Sequence, residues 1–146
     1  MICLDIHGVC CDFVNGFLNW HEINMGPNDW PKGTYDIEKV TGHKLGELPQ
    51  EFWENLAPTK EFYQIADLLK GRLIFAATRI RDRNNAFGTY AWFLKHFQGI
   101  PYFPVTDFKG KCFTNEIILI DDWEEEIAAW PGPSILVPRP WNNAVR

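Results

Sequence analysis

The 146-residue chain contains no CxxC pair, no P-loop, no GxGxxG stretch and no apolar run approaching the ~20 residues that cross a bilayer. Each gap excludes something. The four cysteines, Cys3, Cys10, Cys11 and Cys112, have neither the spacing of a disulfide framework nor that of a structural zinc site, so reduced thiols in a cytoplasm are expected. Without a P-loop or a GxGxxG, nucleoside triphosphatase and dinucleotide chemistry are set aside. Cations are scarce as well: 14 Lys and Arg face 19 Asp and Glu, a formal net charge of −5. A coat for DNA or RNA needs a broad excess of positive charge, so no polynucleotide partner is expected. In "HEINM", Met25 stands where a zinc protease would need its second histidine. The chain opens on an apolar run carrying an aspartate, with no basic leader, and it reads as a cytoplasmic protein with no membrane partner.

What is present is a single domain's worth of apolar residues, 46% of the chain, in alternating short runs and helical stretches. Residues 2–6 form a short apolar run, and the pattern from Val9 to Asn24 predicts a helix with Phe13, Phe17, Leu18 and Trp20 on one face, Cys10 and Cys11 packing inside it. From about residue 25 to 58 the pattern breaks up, and "GPNDWPKGTYD" marks an irregular insertion with embedded aromatics. "TKEFYQIADLLKG" predicts a helix capped by Thr59 and stopped at Gly71. "RLIFAAT", "IILIDD" and "SILVP" read as buried strands, and "NAFGTYAWFLKHF" as an aromatic-rich helix interrupted at Gly88. Continuous apolar strands alternating with helices imply an α/β fold with a parallel sheet covered on both faces.

In such sheets ligands bind beyond the carboxyl ends of the strands. The apolar runs stop at Asp5, at Thr78 and at Asp121-Asp122. Any one aspartate could equally cap a helix or turn, and Thr78 could do the same. Carboxylates gathered from separate strand ends repel one another unless a cation lies among them, and hard oxygen ligands favour magnesium, which bridges to phosphate. The coincidence of strand ends therefore points to a Mg²⁺-phosphate site.

These residues carry a resemblance. "DIHGV", the "AAT" strand end, a lysine ahead of "IILIDD" and the double aspartate resemble the four motifs of the haloacid dehalogenase superfamily. With "DIHGVCCDF", "FWENLAPTKEF", "YAWFLKHF" and "RPWN", the chain is more closely similar to the 5′(3′)-deoxyribonucleotidase family and its phage and bacterial relatives, over most of its length. The resemblance implies a Rossmann-like core spanning 1–146, with a small, mainly helical cap at about 25–58 inserted after the first strand. It implies Asp5 as the nucleophile that becomes an aspartyl-phosphate, and Mg²⁺ held by Asp5, the backbone carbonyl of His7, Asp121 and Asp122, of which Asp122 better matches the direct ligand. Thr78 would bond a phosphate oxygen. Lys111, ten residues before Asp121, would neutralise phosphate charge, with Lys109 as the competing candidate. The implied partner is a small phosphorylated substrate, a (deoxy)nucleoside monophosphate, and a homodimer is compatible with the pattern.

Two departures from the family stand out. His7 occupies the position of the usual acid/base aspartate; an imidazole can do that work near neutrality, and if ill placed it leaves a protein that binds a phosphate ester without efficient turnover. Thr89 stands where a phosphate-contacting lysine is often found, and Arg79, Arg81 and Arg83 could restore the missing charge, Arg79 foremost. Aromatics make up 15% of the chain. Most sit at helical spacing and read as core. Phe13 matches the family's pocket aromatic, and Trp30 and Tyr35, in the insertion, are placed to stack a base.

Overall fold

The computed structural model describes residues 1–144. The first strand, β1 (Ile2–Leu4), lies at the centre of a five-stranded sheet ordered β3-β2-β1-β4-β5, with β2 at Ile74–Arg79, β3 at Tyr102–Val105, β4 at Ile118–Asp121 and β5 at Ser134–Leu136. Every pairing is parallel; Leu4 lies opposite Ala76 on one side and Ile120 on the other. Between them run α1 (Phe13–Trp20), α2 (Ile37–Thr41), α3 (Gln50–Glu54), α4 (Phe62–Leu68), α5 (Arg83–His96) and α6 (Glu124–Ala129). This is an α/β protein with a Rossmann-like, all-parallel sheet flanked by helices.

Strand alternation divides the core between the faces. Leu4 and Ala76 point into a large cluster with Phe17, Phe62, Trp92 and Phe93, whereas Cys3, Phe75, Ala77 and Leu119 pack with Trp130 on the other. After β3 the chain crosses β2 and β1 to enter β4. The order thus reverses at β1/β4, and a crevice opens at their carboxyl ends. The elements between α1 and α4 are short helices only.

Several expectations are corrected. The first helix starts at Phe13, not Val9, because residues 6–12 form a tight turn in which Cys10 and Cys11 both donate backbone N–H to Ile6 O, and Asp12 caps the helix at Asn15 N. Cys10 and Cys11 are buried in that turn, ahead of the helix. Thr59 is not a cap: α4 begins at Phe62, and the Thr59 hydroxyl donates to Val9 O at 2.7 Å, tying the stretch ahead of α4 to the first loop. Gly88 does not interrupt α5, which runs unbroken from its Asp82 cap. The "SILVP" run is an edge strand with Ile135 half exposed, and β3 is a strand the apolar pattern did not announce. Among the described residues, no helix is long and apolar enough to cross a membrane.

Candidate functional site

Parallel pairing in register carries Asp5, Thr78, Asp121 and Asp122 to one edge of the sheet, on the wall of a cavity of about 680 Å³. All four are buried, Asp121 and Asp122 to 1% exposure. Asp5, Asp121 and Asp122 each offer a carboxylate oxygen within 4.8 Å of the others. Into this group reaches Lys109, itself only 2% exposed, donating to Asp5 Oδ1 at 2.7 Å and Asp121 Oδ2 at 2.6 Å. Glu126 of α6 holds the lysine in place by accepting its backbone N–H at 2.9 Å.

Two of the remaining aspartate oxygens accept hydrogen bonds. Asp121 Oδ1 accepts from Trp123 N, and Asp122 Oδ2 accepts from the Trp141 indole at 2.8 Å. Asp122 Oδ1 is buried with no partner among the described residues. Gly8, at φ +86°, lies against this carboxylate, and any Cβ there would collide with Asp122 Oδ2. The loop can follow this path only with glycine.

Three buried aspartates thus face the Lys109 ammonium, with Glu126 shared between the Lys109 backbone and the Arg79 guanidinium. The electrostatics follow. Burial and the neighbouring Asp121 push the Asp5 carboxyl well above the usual range, against the pull of Lys109. The same two causes push Asp122 up to about 7, opposed by the Trp141 hydrogen bond and Lys109. Burial works to discharge Lys109, but Asp121, Asp5 and Glu126 outweigh it and hold the ammonium charged. Buried carboxylates in excess, with Asp122 Oδ1 and Glu126 Oε1 both lacking a hydrogen-bond partner among the described residues, form a group in which the three aspartates could hold a hard divalent cation such as magnesium.

His7 lies apart from this cluster. Its Nδ1 is 3.3 Å from Thr78 Oγ1 and its Nε2 3.1 Å from Thr89 Oγ1, with Phe13 and Trp53 edge-on to the ring. Asn85 Nδ2 donates to Thr89 Oγ1 at 3.4 Å, and the two threonine hydroxyls between them offer the neutral ring one donor and one acceptor. Burial first, then Lys109 and Arg81, lowers His7 to about 3, so the ring is neutral. The two departures read from the sequence, at positions 7 and 89, are hydrogen-bonded to each other. Both groups of this pair are uncharged.

Of the other expected residues, Phe13 and Tyr35 line the cavity, stacked on Trp53 and Trp123 respectively. Arg79 also lines it, its guanidinium over the rings of Phe108 and Trp123 and 3.9 Å from Glu126. Arg81 reaches the cavity, while Arg83 lies over Phe87 away from it. Two expectations are corrected. Lys111 is exposed and paired with Asp107, so Lys109 is the lysine of the site. Trp30 is buried, donates to Thr34 O and packs on Trp141, outside the main cavity and against a second one of about 220 Å³.

Sequence reading gave no role to Trp123, Glu126, Trp141 or Asn142. Trp123 directly follows the double aspartate, and Trp141-Asn142 lie in the noted "RPWN", so adjacency was the available signal. Nothing in "EEE" marks its third glutamate as the buried one. The chain matches no protein-family model and no curated protein sequence.

Proposed function

We propose that the chain is a magnesium-dependent phosphomonoesterase of the haloacid dehalogenase type, acting on a (deoxy)nucleoside monophosphate through a phosphoenzyme on Asp5. The observation that supports it most is the buried set of Asp5, Asp121, Asp122 and Lys109 beside the orphaned Asp122 Oδ1, at the carboxyl edge of a parallel sheet. The helices at about 25–58 act in this reading as a small cap, and the free cysteines suit a reducing cytoplasm.

Asp5, Asp121, Asp122 and the carbonyl of residue 7 would hold the ion, which supplies charge neutralisation for an incoming phosphate dianion. Asp5 attacks phosphorus and forms a P–O bond as the ester P–O bond breaks, and the nucleoside alkoxide leaves and takes a proton from water; a second water then attacks phosphorus, releasing inorganic phosphate and regenerating the Asp5 carboxylate. Lys109 screens both nucleophile and phosphate. Thr78 is well suited to the phosphate: its hydroxyl lines the cavity beside Asp5 and can both donate and accept. Phe13 and Tyr35 present cavity walls on which a base can stack, worth ~1–3 kcal/mol.

A second reading has its own observation. Both His7 nitrogens are engaged by threonines, and burial resists protonation. A leaving alkoxide therefore has no ready proton donor, which favours a protein that binds the phosphate ester and turns it over slowly. Phosphate release from a panel of nucleoside monophosphates with Mg²⁺ separates the two. Under the first reading the natural protein is active and Asp5→Asn is inert. Under the second the natural protein is nearly silent and His7→Asp gains activity, up to the ~10²–10⁴-fold that a positioned proton donor supplies. Activity surviving Asp5→Asn would remove the phosphoenzyme.

A further inference from the structure

We propose that the C-terminal segment Pro138–Asn142 is a positioning clamp that fixes the Asp122 carboxylate with one oxygen turned free for a cation. The proposal rests on the metal reading given above and assigns residues to which that reading gives no part. Trp141 donates its indole N–H, the only side-chain donor it has, to Asp122 Oδ2 at 2.8 Å. Asn142 Nδ2 donates to the Asp122 backbone carbonyl at 2.9 Å and to Val137 O at 2.8 Å. Its Oδ1 in turn accepts from the backbone of Arg139 and Ala144 at 3.2 Å each, which folds the segment on itself. Arg139 Nε donates to Gly8 O at 2.7 Å, joining the same segment to the loop after Asp5. Both the side chain and the backbone of Asp122 are thus gripped from one short stretch, and the loop facing it is held by the same stretch.

The chemistry of the grip matters. Asp5 and Asp121 are held by a cation, Lys109, which cancels part of their charge. Asp122 is held by a neutral indole, which sets the rotamer but leaves the negative charge in place. A Lys or Arg at position 141 would compete with a metal; an indole N–H does not. A phenyl ring would fill most of the same space, so the N–H on Asp122 is the part that packing alone does not demand. Its effect is to satisfy Oδ2 while Oδ1 of the same carboxylate stays buried without a hydrogen-bond partner among the described residues.

The test is isothermal titration of the full chain with Mg²⁺, repeated with Mn²⁺, on the natural protein, on Trp141→Phe, and on a protein carrying β-(3-benzothienyl)alanine at 141, which keeps the shape of tryptophan and lacks the N–H. Metal-free melting curves are recorded alongside. Both variants should bind the ion ~10–100-fold more weakly. If Trp141→Phe fails to fold, the shape-preserving protein still gives the answer. Metal affinity unchanged in the benzothienyl protein, with or without a fall in melting temperature, would show a packing role and overturn the clamp while leaving the metal reading intact. No binding by the natural protein would overturn the metal reading, and the clamp with it.

Discussion

Lys109 and Lys111 differ by two positions and by everything that matters electrostatically. They open and close one 3₁₀ turn, in which each residue rotates about 120°, so side chains two apart also point about 120° away from each other. One enters the carboxylates; the other meets solvent and Asp107. Lys109→Met leaves Asp5 and Asp121 buried without their counter-charge and should cost ~3–5 kcal/mol, whereas Lys111→Met should stay within ~0.5 kcal/mol. Urea unfolding of the two variants in a metal chelator checks this, and equal effects would contradict the assignment of Lys109. Spacing counted along the sequence selected a lysine near Asp121 but not the right one, because the residues fixing the turn's phase, Glu126 above all, come from another element. Thr89 is a parallel case. Its hydroxyl joins Asn85 to His7 inside the core, so Thr89→Val strands two polar groups and should cost ~1–3 kcal/mol by the same measurement. A solvent-like cost would show that the two departures are not coupled.

At the scale of elements, α3 lies on α5, and Gly88 sets their distance. A Cβ at 88 would meet the backbone carbonyl of Gln50 and the Cβ of Trp53, neither the far end of a flexible chain. Gly88→Ala gains ~1 kcal/mol of helix propensity yet should destabilise by ~1–3 kcal/mol overall, since the helices must move apart. A melting temperature that rises instead would mean the helices have slack there. The sequence showed a glycine in a helical pattern; that a second backbone pressed against it was a tertiary fact. Strand β3 escaped notice for a related reason. "YFPV" carries a proline, which removes a ladder donor, and only its place at the sheet edge makes that tolerable. The apolar runs of β1, β2 and β4 were legible because burial on both faces removes polar alternation. The early start assigned to α1 failed where "GVCC" looked helical by composition but was needed for the turn that brings Gly8 under Asp122.

For the whole molecule, the sheet gathers negative charge at one edge, and stability should therefore depend jointly on pH and on a divalent cation. In the metal-free protein Asp122 is pushed up to about 7 and Asp5 moves in the same direction, so the folded state takes up protons that the unfolded chain does not. For a carboxyl raised in the fold, stability is highest below its ordinary value and falls as pH climbs from there to the folded value. His7 acts with the opposite sign: lowered to about 3, it favours the fold above its ordinary value and less so as pH falls. Its contribution is common to samples with and without metal and cancels in their difference. Magnesium binds the ionised carboxylates and competes with their protons, so the stabilisation it gives should be larger at about pH 8 than at about pH 5.5. At roughly a hundredfold excess over its dissociation constant, Mg²⁺ should add ~2.7 kcal/mol, or roughly 5–10 °C in melting temperature for a chain of this size. Melting curves with Mg²⁺ or with chelator at the two pH values measure the difference directly. A shift of equal size at both would mean that the ion is held elsewhere than on Asp5 and Asp122.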